Sequence, residues 1–525
     1  MDADRALWRQ LRIGLFAAAA LGLLWLIART SNSIGGVRYF LLPDDAMISM
    51  RYARNMADGL GLVWNAGERV QGYTNPALTL LMAGVHLLPI PDRLTSLPLQ
   101  LASTGFHLIT ALVIWRTVFR KLGDEWALGA TAAYLASSCA TIWAISGWEV
   151  SAVTLGWTLA LAPVIDPQPS RRVRWTSLLA AGVAVVLRPD AALVFVVAAG
   201  FHLVAAIRRR EGLTDVVAAI AVAAILPAAL AVWQYSYYGS WVPNTVILKR
   251  SPGAMALVPG LLYLAKSFVS YPLNLIVFAG AVAWAIRLEQ ASRWTLAILV
   301  SIYALHIVSA GGDAFSHARF LVPLLPTAVI MAAFQFAATP IARPALRRAL
   351  AVAAVFVVAF DLADASQREV QRQKDFNRVS LLTSFWLQSS AERKPVVAVF
   401  AAGTVPYFNP SIRFHDILGK SETRIARTPP HSGMAGHNHW DFDYSLNDVR
   451  PDLVITTYPL NTAAPSLGLT GFRKITDYYQ DLYDRAAFAA DYQRGKSRIT
   501  FAGEEVTVFE AYARAGGVLR PVPDH

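Results

Sequence analysis

Over its first 364 residues the chain alternates long apolar runs with short polar, arginine-bearing segments; beyond that point the pattern becomes mixed. Runs approaching the ~20 residues needed to cross a bilayer fall at 12–29, 96–118, 126–145, 150–165, 175–188, 191–207, 214–235, 271–287, 294–309, 320–338 and 349–363. They predict about eleven transmembrane helices in residues 1–364. Residues 76–91 are also apolar, but this run is short and ends in prolines, so it is expected to lie in the interface or re-enter the membrane. In residues 365–525, β-like runs at 396–400 and 453–456 sit between helical and turn-rich stretches. That pattern predicts a C-terminal α/β domain.

Charge orients this array. The basic clusters Arg116/Arg120/Lys121, Arg171/Arg172/Arg174, Arg208/Arg209/Arg210, Arg287/Arg293 and Arg343/Arg347/Arg348 all share the N-terminal side if eleven spans are crossed. The positive-inside rule makes that side the cytoplasm. The first outer loop (30–95), the 236–270 segment and the C-terminal domain are then expected outside, on a multi-pass protein of the cytoplasmic (inner) membrane. Composition agrees: 55% of residues are hydrophobic and 16% charged. The net charge of +12 is explained by the cytoplasmic loops and calls for no nucleic acid. Residues 366–525 hold 19 Lys and Arg against 17 Asp and Glu, a balanced, soluble surface. The single cysteine, Cys139, excludes an intrachain disulfide. The run at 12–28, flanked by Arg5, Arg9 and Arg12, has no small-residue cleavage site and reads as a first span rather than a leader.

The polar loop after the first span carries the candidate chemistry. Asp44 and Asp45 are adjacent carboxylates beside a bilayer. One of them could take the proton from an attacking sugar hydroxyl, with the other orienting it, holding a cation or raising its pKa. Alternatively, one simply caps the helix expected over 46–58. Arg51 and Arg54 lie at helical spacing from Asp45 and Asp58, which suits intrahelical ion pairs or, for Arg51, a substrate contact. The segment GGDAFSHARF (311–320) brings Asp313, His317 and Arg319 to the start of a span. Arg319 suits a lipid phosphate or an interfacial pair with Asp313. Arg188 and Asp190 interrupt two short spans, where charges line a cavity or pair. YYGSWVPNTVILKR (237–250) offers Asn244 and Lys249 among aromatics. The histidines of HSGMAGHNHWD (431–441) match no zinc spacing, and no metal site is assigned.

Taken together, PDDAMISMRYARNMADGLGLVWNAGERVQGYTNP (43–76), SGWEVS (146–151), LRPDA (187–191), YYGSWVPNT (237–245) and GGDAFSHARFLVP (311–323) resemble the GT-C glycosyltransferases. So do AAGTVPYF, RIARTPP and GMAGHNHWDFDYSL in the tail. Within that superfamily the chain is most similar to the terminal β-arabinofuranosyltransferases of actinobacterial cell walls, departing at Met47 and Trp148. The resemblance implies a GT-C fold and a polyprenyl-phosphate-sugar donor, with decaprenyl-phosphate-arabinose the leading candidate. It also implies an envelope glycan acceptor on the outer face of the membrane. It carries Asp44 and Asp45 over as the first-loop acids, sets Asp313 and Arg319 near the donor phosphate, and matches Glu149 to the SGxE position. His317, Lys249 and Arg188 join Arg319 as expected phosphate contacts, while Arg51, Asn75, Glu149, Asn244 and Asp313 are expected substrate contacts. A monophosphate leaving group beside arginines needs no cofactor, although two acids could hold a divalent cation. Three other readings are weighed: transfer of a different lipid-linked sugar to lipid or protein, a flippase for lipid-linked sugar, and a glycan-binding tail on a membrane anchor. A flippase favours inverted repeats, which are not visible, and eleven spans exceed what an anchor needs.

Overall fold

The computed structural model describes residues 2–166, 170–210, 212–249, 253–339, 366–390, 394–431, 436–456, 475–501 and 504–514. The membrane part begins with α1 (Asp2–Thr30), a short hairpin of β1 (Asn32–Ile34) and β2 (Val37–Tyr39), and the first-loop helices α2 (Asp44–Ala57) and α3 (Pro76–His86). There follow α4 (Ser96–Leu122), α5 (Asp124–Leu135), α6 (Ser138–Ile145), α7 (Val150–Ile165), α8 (Arg171–Leu187) and α9 (Ala192–Arg209). Next come α10 (Leu213–Tyr238), α11 (Asn244–Leu248), α12 (Gly253–Val269), α13 (Pro272–Ala285), α14 (Gln290–Ser309) and α15 (Leu325–Ala337). The expected span at 349–363 and the expected boundary after 364 lie outside the described residues.

Among the described residues, five helical stretches are long and apolar enough to cross a membrane, or seven if two bent pairs each count as one. The bent pairs are α5 with α6, at 61°, and Met255–Val269 with α13, at 96°. The first break arises because the Ser137 side chain accepts the Ala140 backbone N–H and restarts the helix. About eleven spans were expected. The difference is one of length: α7 has 16 residues, about 24 Å at 1.5 Å per residue, short of a ~30 Å hydrocarbon core. Helix α3, with 11 residues, is shorter still. The 236–270 segment, expected as a loop, contains α12, whose apolar sequence was passed over.

Side chains such as Ile225 (62% exposed) and Leu305 (68%) form the outer face that lipid covers. Inside, small residues let helices touch. A Cβ on Gly182 would lie 2.3 Å from the Ala223 carbonyl oxygen, and one on Gly260 would lie 2.6 Å from Val308 Cα. Such close approach supplies the dispersion contact on which helix association in lipid depends.

The tail consists of α16 (Ser366–Ser390), β3 (Val396–Val399), α17 (Thr404–Phe408), β4 (Arg413–Asp416), α18 (Thr423–Ala426) and β5 (Leu453–Ile455). It ends in α19 (Ile475–Tyr483), α20 (Ala486–Asp491), β6 (Tyr492–Phe501) and β7 (Glu504–Arg514). The strands form one sheet in the order β4-β3-β5-β7-β6. Strands β4, β3 and β5 are parallel, while β7 runs antiparallel to both β5 and β6. Both runs read as strands in the sequence, Val396–Val399 and Leu453–Ile455, sit side by side in it.

The first loop packs against this sheet through buried polar bonds. Arg51, 2% exposed, donates from Nε to the Trp64 carbonyl at 2.6 Å and from Nη2 to the Ile412 carbonyl at 3.0 Å. Its remaining donors reach the Pro406 and Asn409 carbonyls and Asn65 Oδ1. All five guanidinium donors are thus used, so Arg51 holds loop to tail and is not the substrate contact expected of it. Asn244 is a second tie: Nδ2 donates to the Gly419 carbonyl at 2.8 Å and the Lys420 carbonyl at 3.1 Å. It too is structural rather than a substrate contact.

Asp44 is the third tie, accepting from the backbone N–H of Thr404 at 2.8 Å and of Gly403 at 3.2 Å. It therefore caps α17, across the chain, while α2 starts at Asp44 itself after Pro43 with no side-chain cap. A Cβ at Gly403 would lie 1.9 Å from the Asp44 carbonyl oxygen. Two outcomes follow. Arg51→Ala leaves the carbonyls unsatisfied and should destabilise the protein by about 1–3 kcal/mol or more, read as a lower melting temperature in detergent. Gly403→Ala should push the start of α2 outward at about 1–3 kcal/mol, and protease digestion should then cut the loop between α2 and α3 faster.

Candidate active site

Strands β3 and β4 end at the first loop, and ligand sites of open α/β sheets lie outside the carboxyl ends of parallel strands. The turn after β3 offers the Gly403 and Thr404 N–H groups to Asp44. The turn after β4 is shaped by Asp416, which accepts from the backbone N–H of Leu418 at 3.2 Å and of Ser421 at 2.7 Å. That turn aims Lys420, whose Nζ donates to Asp45 Oδ1 at 2.7 Å.

The two aspartates therefore differ in role. Asp44 is held by main chain, and burial, reinforced by the charge of Asp45, lifts its pKa above the usual carboxylate range. Asp45 keeps 26% of its side chain exposed. Burial would raise its pKa, but Lys420, with smaller help from His437 and Lys249, brings it down to about 2. Burial likewise works against the Lys420 ammonium, yet Asp45 holds its pKa above the ordinary value.

Both aspartates line a cavity of about 190 Å³. Its walls come from the turn around Trp143 and Ser146, from Ala314 to Ser316, from Phe400 and Leu418 to Lys420, and from α16. His437 also lines it. The ammonium of Lys249, at the end of α11, has no ion-pair or hydrogen-bond partner among the described residues; burial and then the charge of Arg319 pull its pKa below the usual range. Asp45 and Asp313 are the acids that act on it.

The remaining expected residues form a second, buried group that does not line this cavity. Arg319 Nε lies 2.7 Å from Asp313 Oδ2, and its guanidinium stacks over Trp148 at 4.7 Å and Phe315 at 4.9 Å. The pair with Asp313 forms as the spacing suggested, but it is buried under aromatics instead of snorkelling to the interface. His317 and Ala318 make the connecting turn in the left-handed region (φ 61° and 46°). The His317 backbone N–H donates to the Tyr271 hydroxyl at 2.8 Å, and Trp143 Nε1 donates to the His317 carbonyl at 2.9 Å. Arg188 pairs with Asp190 (Nε to Oδ1, 2.7 Å) and donates to the Tyr303 hydroxyl (3.1 Å). Asn75 and Glu149 do meet: Asn75 Nδ2 donates to Glu149 Oε2 at 3.1 Å, and Ser49 Oγ donates to Asn75 Oδ1 at 2.9 Å.

Lys420 and α16 were missed in the sequence. A lysine in a tail turn has no local signal, whereas Glu369, Arg372, Gln373, Phe376 and Asn377 repeat at helical spacing and could have been found. Among the described residues no group of three or more His, Cys, Asp or Glu could hold a metal ion.

Comparison with known proteins agrees with this architecture. The model for a "Domain of unknown function (DUF8728)" matches residues 366–509. The terminal beta-(1->2)-arabinofuranosyltransferase of Mycobacterium tuberculosis is 28% identical over 322 residues, covering 53% of this chain and 50% of the relative. The protein of the same name from Corynebacterium glutamicum is 26% identical over 336 residues, covering 55% and 47%. The chain thus matches about half the length of these curated relatives. ArnT from Cupriavidus metallidurans in the apo state superposes with a TM-score of 0.54 at 12% identity, over 97% of this chain and 99% of that one. At that identity the likeness speaks for the fold. The chain's membrane helices and its ArnT-like architecture describe a polytopic membrane protein with a GT-C fold, and its sequence is similar over about half its length to the terminal arabinofuranosyltransferases.

Proposed function

We propose that the protein is a glycosyltransferase that moves a sugar, with arabinofuranose the first candidate, from a polyprenyl phosphate onto an envelope glycan at the outer face of the cytoplasmic membrane. The observation that carries this reading is Asp45: a partly exposed carboxylate on a cavity wall, paired with Lys420. The names of the aligned relatives suggest the sugar and its acceptor class.

In this mechanism the acceptor hydroxyl attacks the anomeric carbon, its proton passes to Asp45, and the bond from that carbon to the phosphate oxygen breaks. The lipid phosphate leaves with the added electron pair, its charge balanced by Lys420 and Lys249. Lys420 has a double part. While it holds Asp45, the carboxylate is a poor base; when a donor phosphate draws the ammonium away, Asp45 becomes more basic just as the donor is seated. Asp44 fixes the position of Asp45 through α17. The Arg319–Asp313 and Asn75–Glu149 pairs brace the wall behind.

Asp45→Asn should lower kcat about 10²–10⁴-fold with little change in melting temperature, measured by transfer from a synthetic polyprenyl-phosphoryl arabinofuranose. Asp44→Asn keeps one acceptor oxygen and should instead lower stability by about 1–2 kcal/mol. Undiminished transfer by Asp45→Asn, or sugar movement across vesicles without transfer, contradicts the reading. The acid limb of kcat/KM follows the base of the free enzyme. With Asp45 near 2, no loss from its protonation is expected between about pH 5 and 8. Lys420→Met removes the cation, so the limb should move up toward the ordinary carboxylate value or beyond it.

A further inference from the structure

Lys420 reaches Asp45 from the turn after β4, and one residue gathers the main-chain amides of that turn. Asp416 accepts the Leu418 N–H on Oδ1 at 3.2 Å and the Ser421 N–H on Oδ2 at 2.7 Å, while its backbone carbonyl takes the Gly419 N–H at 3.0 Å. Lys420 lies between the Gly419 and Ser421 donors. Asn244 secures the other side of the turn through the Gly419 and Lys420 carbonyls. The chain has little room here: a Cβ on Gly419, whose φ is +77°, would lie 2.8 Å from Ile425 Cγ2. The two carboxylate oxygens are the anchors on the amide side.

The Asp416 side chain is 1% exposed, and no cation pairs with it among the described residues. The ammonium on its own turn, Lys420, is committed to Asp45 at 2.7 Å. Arg413 of β4 and Arg424 of α18 are paired elsewhere, with Glu68 and Asp448. His415 turns to Ser445 Oγ at 2.9 Å, and β3, which meets Asp416 at Val399, carries no charged residue. Tyr52 approaches from α2 with its hydroxyl 3.3 Å from Ser421 Oγ, and Glu422 adds a like charge from the turn itself. Asp44 and Asp45 act with Asp416 on the Lys420 ammonium, and Lys249 of α11 lies beyond them. A buried carboxylate with no paired cation takes up a proton readily. Burial pushes the Asp416 pKa up to about 6, with Glu422 adding to the effect and Lys420 and the two amides opposing it.

Protonation alters bonding as well as charge. A carboxylate accepts on both oxygens, whereas a carboxylic acid spends one of them as an O–H donor. One of the two amides then loses its acceptor in a buried place, which is unfavourable, and the segment that carries Lys420 has to shift. We propose that Asp416 is a positioning residue of the active site: while ionised, its carboxylate holds the turn that aims Lys420 at Asp45, and protonation releases that aim. The inference rests on the transferase reading, in which Lys420 serves both Asp45 and the donor phosphate. Transfer weakens, on this account, as the medium outside the membrane acidifies.

The test measures kcat/KM of the full chain in detergent from about pH 8 down to about pH 5, with synthetic polyprenyl-phosphoryl arabinofuranose as donor and an arabinofuranosyl oligosaccharide as acceptor. Wild type should lose activity in a single-proton step centred near pH 6, a range in which Asp45 stays ionised. Asp416→Asn keeps one acceptor oxygen and should show no step; its rate should lie about tenfold below wild type at the alkaline end, on the scale of one lost hydrogen bond. In the Lys420→Met background the same change should cost less than about twofold more, because the side chain it aims is gone. A wild-type profile without the step, a step that persists in folded Asp416→Asn, or a full tenfold loss on top of Lys420→Met overturns the proposal. If Asp416→Asn does not fold, amide hydrogen exchange on wild type decides. Protection of residues 417–422, corrected for the intrinsic pH dependence of exchange, should fall about tenfold between about pH 7 and 5; unchanged protection overturns the proposal. Wild type that transfers no sugar sinks the transferase reading instead, and the same exchange measurement then decides whether Asp416 governs the turn.

Discussion

Asp45 and Lys420 are 375 residues apart in sequence and 2.7 Å apart in space. A pair this far buried, with Lys420 8% exposed, loses to desolvation much of what its attraction gains, so it cannot draw the two ends of the chain together unaided. It forms because Arg51 and Asp44 fix the first loop, and Asn244 fixes α11, against the segments that follow β3 and β4. Once formed in a partly dry cleft, it sets the charge of the site: one carboxylate neutralised and one held by backbone. The cavity, the orientation of α2 and the poise of the carboxylate all depend on that docking.

Charge elsewhere is arranged to cancel. Arg188 with Asp190, and Arg319 with Asp313, close on near neighbours in sequence and lie under aromatic rings. Buried pairs of this kind are weak stabilisers, but losing either partner leaves a charge stranded in low dielectric. They also keep the wall beside Trp143 stiff without adding a net field. Lys249 stands apart, since no carboxylate pairs with it among the described residues, and burial together with the charge of Arg319 weighs against its ammonium.

How much of this could be read beforehand depended on distance along the chain. Hydropathy is a local property, so most apolar runs appear as helices close to the expected places. Helix bends depend on caps such as Ser137, and α12 was lost within a segment judged by its aromatics. Asp313 and Arg319 are six residues apart, and their pairing was visible. Arg51 was misread for the opposite reason: its neighbours at helical spacing were acids, but three of its five acceptors are carbonyls more than 350 residues away. Lys420 escaped notice because only tertiary structure brings it to Asp45. Adjacent aspartates pointed to the site but not to their division of labour, which backbone geometry at Gly403 decides.

The ties between loop and tail have one property in common. Arg51 and Asn244 bind main-chain carbonyls of residues 406, 409, 412, 419 and 420, and Asp44 binds main-chain amides of residues 403 and 404. Every amino acid presents a carbonyl, and all but proline present an amide. These three ties are thus indifferent to most side chains of the far half, provided the strand ends keep their path; Gly403, where a Cβ would meet Asp44, and Lys420, which reaches Asp45, are among the positions that are not free. The sequence of the outer lobe can therefore vary around those fixed points while the reacting groups stay in register.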